Sequence, residues 1–408
     1  MTMSQSYLEG RHTAGRAQGA VLMLGSSLTI MGSVMVAPVL PKIAAEFGPV
    51  EPQTSVLIPL AITGPALAIA LCAPLAGWLA DRLGRKRLLI LATLVYAFCG
   101  ATPAFLDSLK GIVGLRLLFG CAEAAVMTCC VTLIADYWHG EQRMRYVNGQ
   151  VITIGLVGSI FFAIGGALGE HSWRTPFLLY LLPLLLVPAM LKLLWEPEAH
   201  HARAMHSTEP GQSSLPPLII NYLLVFFGMV LSFIVPVQSP TLLVGLGVTS
   251  STLIGLCAGL GLLTSLGGSL LWPFVRRRVG LAGCNVLLLL LMASGLWLLI
   301  TAHTYYQVLL AVTIHGLGAG MLVPNSMAPV MNALSATSRG RGLGIFTACL
   351  YLGQFSSPLI VIALLGQTGD LHHAIGLLAV ASVITALVWA LLSFLRRGIT
   401  SPARSTHP

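Results

Sequence analysis

The chain has 408 residues, 56% of them hydrophobic and only 9% charged, with 22 Lys and Arg against 13 Asp and Glu for a formal charge of +9. A soluble domain carries about 25% charged residues, and a single soluble core stops growing near ~250–300 residues, so lipid must be the solvent for most of this chain. The Gly residues sit inside apolar runs, which excludes a disordered Gly-rich chain. The basic residues fall between those runs, where they read as topology signals, so no nucleic-acid partner is expected.

A helix needs ~20 apolar residues to cross the hydrocarbon. In chain order, the sequence predicts spans at 20–41, 54–78, 88–106, 111–135, 147–169 and 175–195, then 218–240, 252–275, 280–302, 305–330, 341–366 and 373–395. The first run ends in Pro38-Val39-Leu40-Pro41 and has no small-residue cleavage site, so it reads as a span and not as a cleaved leader. The expectation is an all-α membrane protein with twelve transmembrane helices in two six-helix bundles: 1–195, a cytoplasmic linker at 196–217, and 218–408. The linker carries Glu196, Glu198, Glu209, His200, His201, His206 and Pro216-Pro217. His clusters can hold metal, but no carboxylate or thiol set surrounds this one, and it reads as a solvated loop with no metal and no cofactor. The eight Cys show no CxxC or Cys/His spacing and read as reduced, small apolar residues.

Orientation follows from Lys and Arg. Eighteen of them, including Arg16, Arg82, Arg85, Arg143, Arg276 and Arg341, fall on one side of the predicted spans, against Lys42, Lys110 and Arg174 on the other. Arg116 alone lies inside a span. Both termini are therefore expected in the cytoplasm of a bacterial-type inner membrane. The halves also echo each other. Gly77 and Arg85-Lys86-Arg87 recur 191 residues later as Gly268 and Arg276-Arg277-Arg278, and Arg143-x-Arg145 recurs 196 residues later as Arg339-x-Arg341. Internal repeats of this kind place a binding site at the midplane, where the halves meet.

Two groups of residues invite function. The first is Gly77-Trp78-Leu79-Ala80-Asp81-Arg82-Leu83-Gly84-Arg85-Lys86-Arg87, read as a short loop after the second span. Gly77 would permit close helix packing and Gly84 a tight turn. Asp81 at the membrane boundary would pair with Arg or face a helix N-terminus, a latch that breaks when the halves rock. The bland reading is a basic loop that only sets topology. The second is Glu123, the only acidic residue deep inside a span, seven residues and about 10 Å along one helix face from Arg116. Intramembrane charges face cavities and mark ion or substrate paths, and the competing reading is a static Glu–Arg pair. Burial and the neighbouring Arg pull its proton affinity in opposite directions, so its resting state stays open. Asn221, Gln238, His315, Asn325 and Gln354 are further polar groups within spans, each read as interhelical glue or cavity lining. His315 and Gln354 are the better two for the cavity, and imidazole titrates near neutrality in water.

The 77–87 stretch resembles the signature loop of the major facilitator superfamily. Gly32 with Pro38-Val39-Leu40-Pro41 resembles the first-span motif of its twelve-helix drug:proton antiporter group. Arg116-Leu117-Leu118-Phe119-Gly120 is similar to the fourth-span motif, with Phe119 in place of the usual Gln. Asp136 with Gly140-Glu141-Gln142-Arg143, Trp173-Arg174-x-Pro176-Phe177 and Gly353-Gln354-Phe355-x-x-Pro358 resemble later landmarks. Phe161-Phe162 stand where the antiporter motif carries Gly-Pro before Gly165-Gly166, and Trp272 stands in the second half where Asp81 stands in the first.

The resemblance implies a secondary transporter, a monomer in the bilayer, that exports a small molecule in exchange for protons by alternating access. Gly77, Asp81, Arg82, Gly84, Arg85 and Asp136 would form the latch, and Glu123, Arg116, His315 and Gln354 the coupling or substrate site. A proton-coupled importer or a uniporter of the same fold stays open, as does a non-transporting membrane receptor. The sequence has no GxxxxGK[ST] phosphate loop, HExxH or GxSxG, so neither ATP-driven transport nor enzyme chemistry is expected.

Overall fold

Apolar helices with few charges need their backbone groups satisfied internally, and the chain answers with helices throughout. The computed structural model describes residues 14–197, 215–334 and 338–400. Glu198, Glu209, the three linker His residues, Arg11, Arg203 and Arg404 lie outside the described residues. The helices are α1 Arg16–Val34, α2 Leu40–Phe47, α3 Thr54–Leu83, α4 Arg85–Ala101, α5 Leu109–Tyr137 and α6 Gly140–Leu168, followed by α7 Val187–Leu193, α8 Leu215–Gly245, α9 Ser251–Ile300, α10 Tyr305–Ala333, α11 Arg339–Thr368 and α12 Leu371–Thr400. A 3-10 turn at Ala37–Val39 links α1 to α2, so Arg16–Phe47 forms a single span, broken where Pro38 cannot donate. The predicted sixth span also departs from α geometry. Thr175–Leu186 is 3-10 helix, and Pro176 and Pro183 within it supply no backbone donor.

Among the described residues, eleven helical segments are long and apolar enough to cross a membrane. One of them, α9, has 50 residues, about 75 Å if straight and far more than the ~30 Å of hydrocarbon. Gly280 interrupts it with φ 72° and ψ −179°, a conformation open to Gly and strained for L side chains. Packing shows that the chain reverses there. A Cβ on Gly268, before the break, would lie 2.2 Å from the Leu317 carbonyl oxygen, and one on Gly295, after it, 2.5 Å from the His315 Cβ. Gly268 and Gly295 would stand about 40 Å apart on a straight helix, yet both touch one short stretch of α10. The two legs of α9 are therefore separate crossings, which gives twelve among the described residues.

Buried side chains form one large cluster drawn from residues 21–194 with Val237 and Ala258, a second drawn from residues 224–386, and a small third of Leu218, Val225, Val330, Leu334 and Phe346. Large apolar side chains such as Leu185 (74% exposed) and Phe98 (59%) cover the perimeter, as a lipid-facing surface requires. At the end opposite the basic residues, Arg174 joins Glu46 (2.8 Å) and Asp107 (3.0 Å).

The 77–87 stretch is not a loop. Residues 77–83 finish α3, α4 begins at Arg85, and Gly84 alone makes the turn at φ 91°. Helices continue past the hydrocarbon because water and capping groups satisfy their ends there. Nor does Gly77 pack closely, since a Cβ placed on it meets nothing within 4 Å. Its counterpart Gly268 is the one pressed against a neighbouring backbone. Gly268→Ala is therefore expected to lower the thermal midpoint of the purified protein, at an overpacking cost of about 1–3 kcal/mol. Gly77→Ala should be neutral or slightly stabilising, within about 1 kcal/mol. Equal melting of the two variants would mean that the α9–α10 contact relaxes freely.

Candidate functional site

The break at Pro38 creates the site's chemistry. The last carbonyls of an α-helix run out of intrahelical donors, and α1 ends at Val34, so Gly32 O lies among the free ones while Met31 O still accepts from the Met35 backbone N–H at 3.3 Å. Arg116 and Tyr180 come from other helices to meet those carbonyls. Arg116 is fully buried. Its Nη2 donates to the Gly32 carbonyl, its Nε to the Ala61 carbonyl at 2.8 Å, and its Nη1 to the Tyr180 hydroxyl at 3.1 Å. The Tyr180 hydroxyl in turn lies 2.9 Å from Met31 O and 3.0 Å from Gly32 O. Phe119, where the family motif has Gln, lies under the guanidinium with its ring 4.6 Å from Cζ. It also packs against Tyr96 at 4.3 Å and Tyr180 at 5.2 Å. An aromatic face and neutral acceptors thus hold this charge.

Glu123 sits two turns further along α5 and is 3% exposed. The shared face is real, but there is no ion pair between Glu123 and Arg116 among the described residues. The Glu123 Oε2 atom is buried without a hydrogen-bond partner. The carboxyl group lies against Gly32, where a Cβ would stand 2.9 Å from Oε2 and 3.0 Å from the Phe119 ring. Gly32 thus separates the two charges: its carbonyl faces Arg116 and its bare Cα admits Glu123. One turn beyond Glu123, Met127 Sδ accepts from the Tyr351 hydroxyl of α11 at 3.2 Å. That contact joins the two parts of the chain at the depth of Glu123.

The other two candidates lie elsewhere. His315 is buried at the seam of α8, α9 and α10, with Nε2 3.2 Å from the Leu231 carbonyl. Gln354 is half-buried on α11, three residues from Tyr351. Asn325, read as glue or lining, is glue: it accepts from Trp272 Nε1 at 2.9 Å and donates to Asn285 Oδ1 at 2.6 Å and Leu281 O at 3.1 Å. Asn221 donates to the Pro217 carbonyl on its own helix at 2.7 Å, and Gln238 is buried.

At the basic end Arg85 pairs with Asp136 and lies 3.7 Å from Asp81, whose side chain is 74% exposed. Arg82 stacks over Trp78 at 4.1 Å. The N-terminus of α4 is occupied not by Asp81 but by Glu196, which accepts from the backbone N–H groups of Arg85 (2.5 Å) and Lys86 (3.0 Å). Carboxylates favour that position because of the free N–H groups and the helix dipole. Glu196, read as linker, is thus tied to the bundle, and Tyr137 anchors its neighbour Trp195 by ring stacking at 4.2 Å and a hydroxyl-to-carbonyl bond of 2.6 Å.

Sequence reasoning missed Tyr96, Tyr180, Tyr351, Met127 and Glu196. Tyr180 is the one with a usable signal, a lone phenol in a proline-broken apolar run. The others are ordinary residues whose partners come from distant helices.

The chain is 26% identical over 293 residues to the 3-(3-hydroxy-phenyl)propionate transporter of Escherichia coli, covering 70% of this chain and 72% of that one. It is 27% identical over 372 residues to the multi-drug resistance efflux pump PmrA of Streptococcus pneumoniae, covering 87% and 90%. The structure of a D-xylose-proton symporter superposes with a TM-score of 0.75 at 17% identity, over 92% of this chain and 97% of that one. Residues 22–289 and 218–407 both match the Major Facilitator Superfamily. With twelve crossings, the superfamily's fold and a match that spans nearly the whole chain, this protein belongs to the Major Facilitator Superfamily of membrane transporters.

Proposed function

We propose that the chain exports a small organic molecule in exchange for protons, with Glu123 as the group that carries the proton and no covalent chemistry performed. The observation that carries this reading is the unpartnered Glu123 Oε2 atom in the interior. Arg116 has its donors on Ala61, Gly32 and Tyr180 and makes no ion pair with Glu123. An uncompensated carboxylate away from water is costly, so transport must manage its charge at every turn of the cycle. A static Glu–Arg pair would have placed the two groups in contact. The similarity to PmrA, named as an efflux pump, supports the direction. Uptake by proton symport is the second reading, because the 3-(3-hydroxy-phenyl)propionate transporter it resembles is named a transporter with no direction. The movement is alternating access between the halves 1–195 and 218–408. On this reading Arg85, Asp136 and Asp81 form an inner latch, Gln354 stands near the cavity, and His315 is the reserve titrating group.

Glu123→Gln keeps the side chain's shape and removes its charge. In proteoliposomes it should abolish transport driven by a pH gradient yet leave substrate exchange across the bilayer. Unchanged pH-driven flux by a folded variant would remove Glu123 from the proton path and make His315 the next residue to test. The sign of the pH-driven flux in wild-type vesicles separates export from uptake.

Asp136→Asn breaks the tighter half of the latch. Turnover should change by a few-fold to about thirtyfold, the range of couplings of roughly 0.5–2 kcal/mol, with substrate Kd unchanged. Collapse of binding in a folded Asp136→Asn protein would contradict a latch.

The orientation follows from the basic residues and puts both termini in the cytoplasm. A single Cys at Val50 (81% exposed) should react with an impermeant maleimide in intact cells, and one at Met144 (58% exposed) only after permeabilisation. Labelling of the Met144 site from outside would reverse the topology.

A further inference from the structure

Hydrogen bonds join residues 14–197 to residues 215–400 at two places. One is the Tyr351–Met127 contact at mid-depth. The other lies at the outer end of the proposed orientation. There Glu170 Oε2 accepts from the Thr252 backbone N–H at 3.0 Å, from the Thr252 hydroxyl at 3.0 Å and from the Ser250 hydroxyl at 3.2 Å. Ser250 is the N-cap of α9 and Thr252 stands in its first turn. A carboxylate from the first half therefore closes the N-terminus of a helix in the second, where free N–H groups and the helix dipole favour negative charge.

The turn that presents Glu170 is held from α2 and packed closely. Lys42 of α2 donates from Nζ to the carbonyl of Gly169 at 2.7 Å and to that of Glu170. A Cβ on Gly169 would stand 2.2 Å from Val39 Cγ1. Directly beneath it α6 and α9 touch backbone to backbone. A Cβ on Gly166 would meet the Ser251 carbonyl at 2.4 Å, and one on Gly255 the Phe162 carbonyl at 2.3 Å. The seam continues inward to Gly155 against Leu266. At the other end of the molecule Gly77 faces open space.

We propose that Glu170 is the outer-gate lock: its carboxylate, presented by a turn whose backbone carbonyls Lys42 holds and seated on the first turn of α9, sets how readily the two halves part on the outer side. The proposal rests on the alternating-access reading, but its test needs no substrate. The lock is electrostatic as well as hydrogen-bonded. The Thr252 backbone N–H, foremost, and then the Thr252 and Ser250 hydroxyls and the Lys42 ammonium hold the Glu170 carboxyl below the usual carboxylate range. Facing it are Lys42 from α2 and the neutral Ser250 and Thr252 from α9, and its chain neighbour His171 is exposed. With a depressed value in the closed state, the lock is fully present above the ordinary carboxylate pKa. It is lost only as the outer pH falls through the lowered one.

The test is deuterium uptake by the purified full chain in lipid nanodiscs without substrate. Segments 160–172 and 248–262 report the outer seam, and segments 76–90 and 272–284 the inner end. Glu170→Gln keeps an acceptor oxygen and removes the charge. It should raise uptake at the outer seam and lower it at the inner end, each by about two- to fivefold, the range expected for one charge at a helix N-terminus. Thr252→Val removes one hydroxyl, keeps the backbone donor and should move both segments the same way by less. It decides the matter alone if Glu170→Gln does not fold. A rise at the outer seam without protection at the inner end would make Glu170 a local structural contact and overturn the proposal. So would uptake unchanged at both ends.

Discussion

Much of the first half depends on what becomes of the carbonyls freed where α1 stops. Proline within a membrane-crossing stretch is tolerated only if neighbours satisfy the backbone groups it releases, because lipid offers none. Here the neighbours are Arg116 and Tyr180, which bind the Gly32 carbonyl from α5 and from the 3-10 segment before α7. One contact set therefore ties three crossings together and holds a guanidinium without a carboxylate partner. It also leaves Glu123 free beside Gly32, where any larger residue would collide with it.

The two halves repeat a plan and differ in chemistry. The first half's basic end is ionic: Arg85 joins Asp136 and approaches Asp81, and Glu196 seats on the backbone of α4. In the second half the matching position is Trp272, bonded to Asn325 and stacked under Arg276 at 5.1 Å. The Trp272–Asn325 bond is neutral and does not answer to salt or to protonation, whereas the ionic set is screened by salt. Only one side of the repeat can then respond strongly to charge, which would make the halves unequal partners in any rocking movement.

Some of the site was legible in the sequence for reasons that can be stated. Seven residues is two helical turns, so Arg116 and Glu123 had to share a face of one helix. Gly84 before three basic residues signalled a turn, and the turn has the positive φ that Gly tolerates. Other parts were not legible. The acceptors of Arg116 are backbone carbonyls on other helices, which carry no residue-type signal. Glu196 looks like any linker acid until the fold brings it 110 residues back to Lys86.

The sequence by itself determined that the chain lives in lipid, that it crosses about twelve times, and that it resembles one transporter superfamily. Those properties follow from local apolar length and from motif spacing, which one strand of text contains. Only the tertiary structure decided that Arg116 and Glu123 do not pair, that the 77–87 stretch is two helices joined at one glycine, that Gly268 and not Gly77 is the packed glycine, and that Glu170 reaches α9. Each of these depends on which helix lies beside which, and on where a carbonyl or a helix end is left unsatisfied. Helix neighbours far apart in the chain are set by packing, and hydropathy is blind to them.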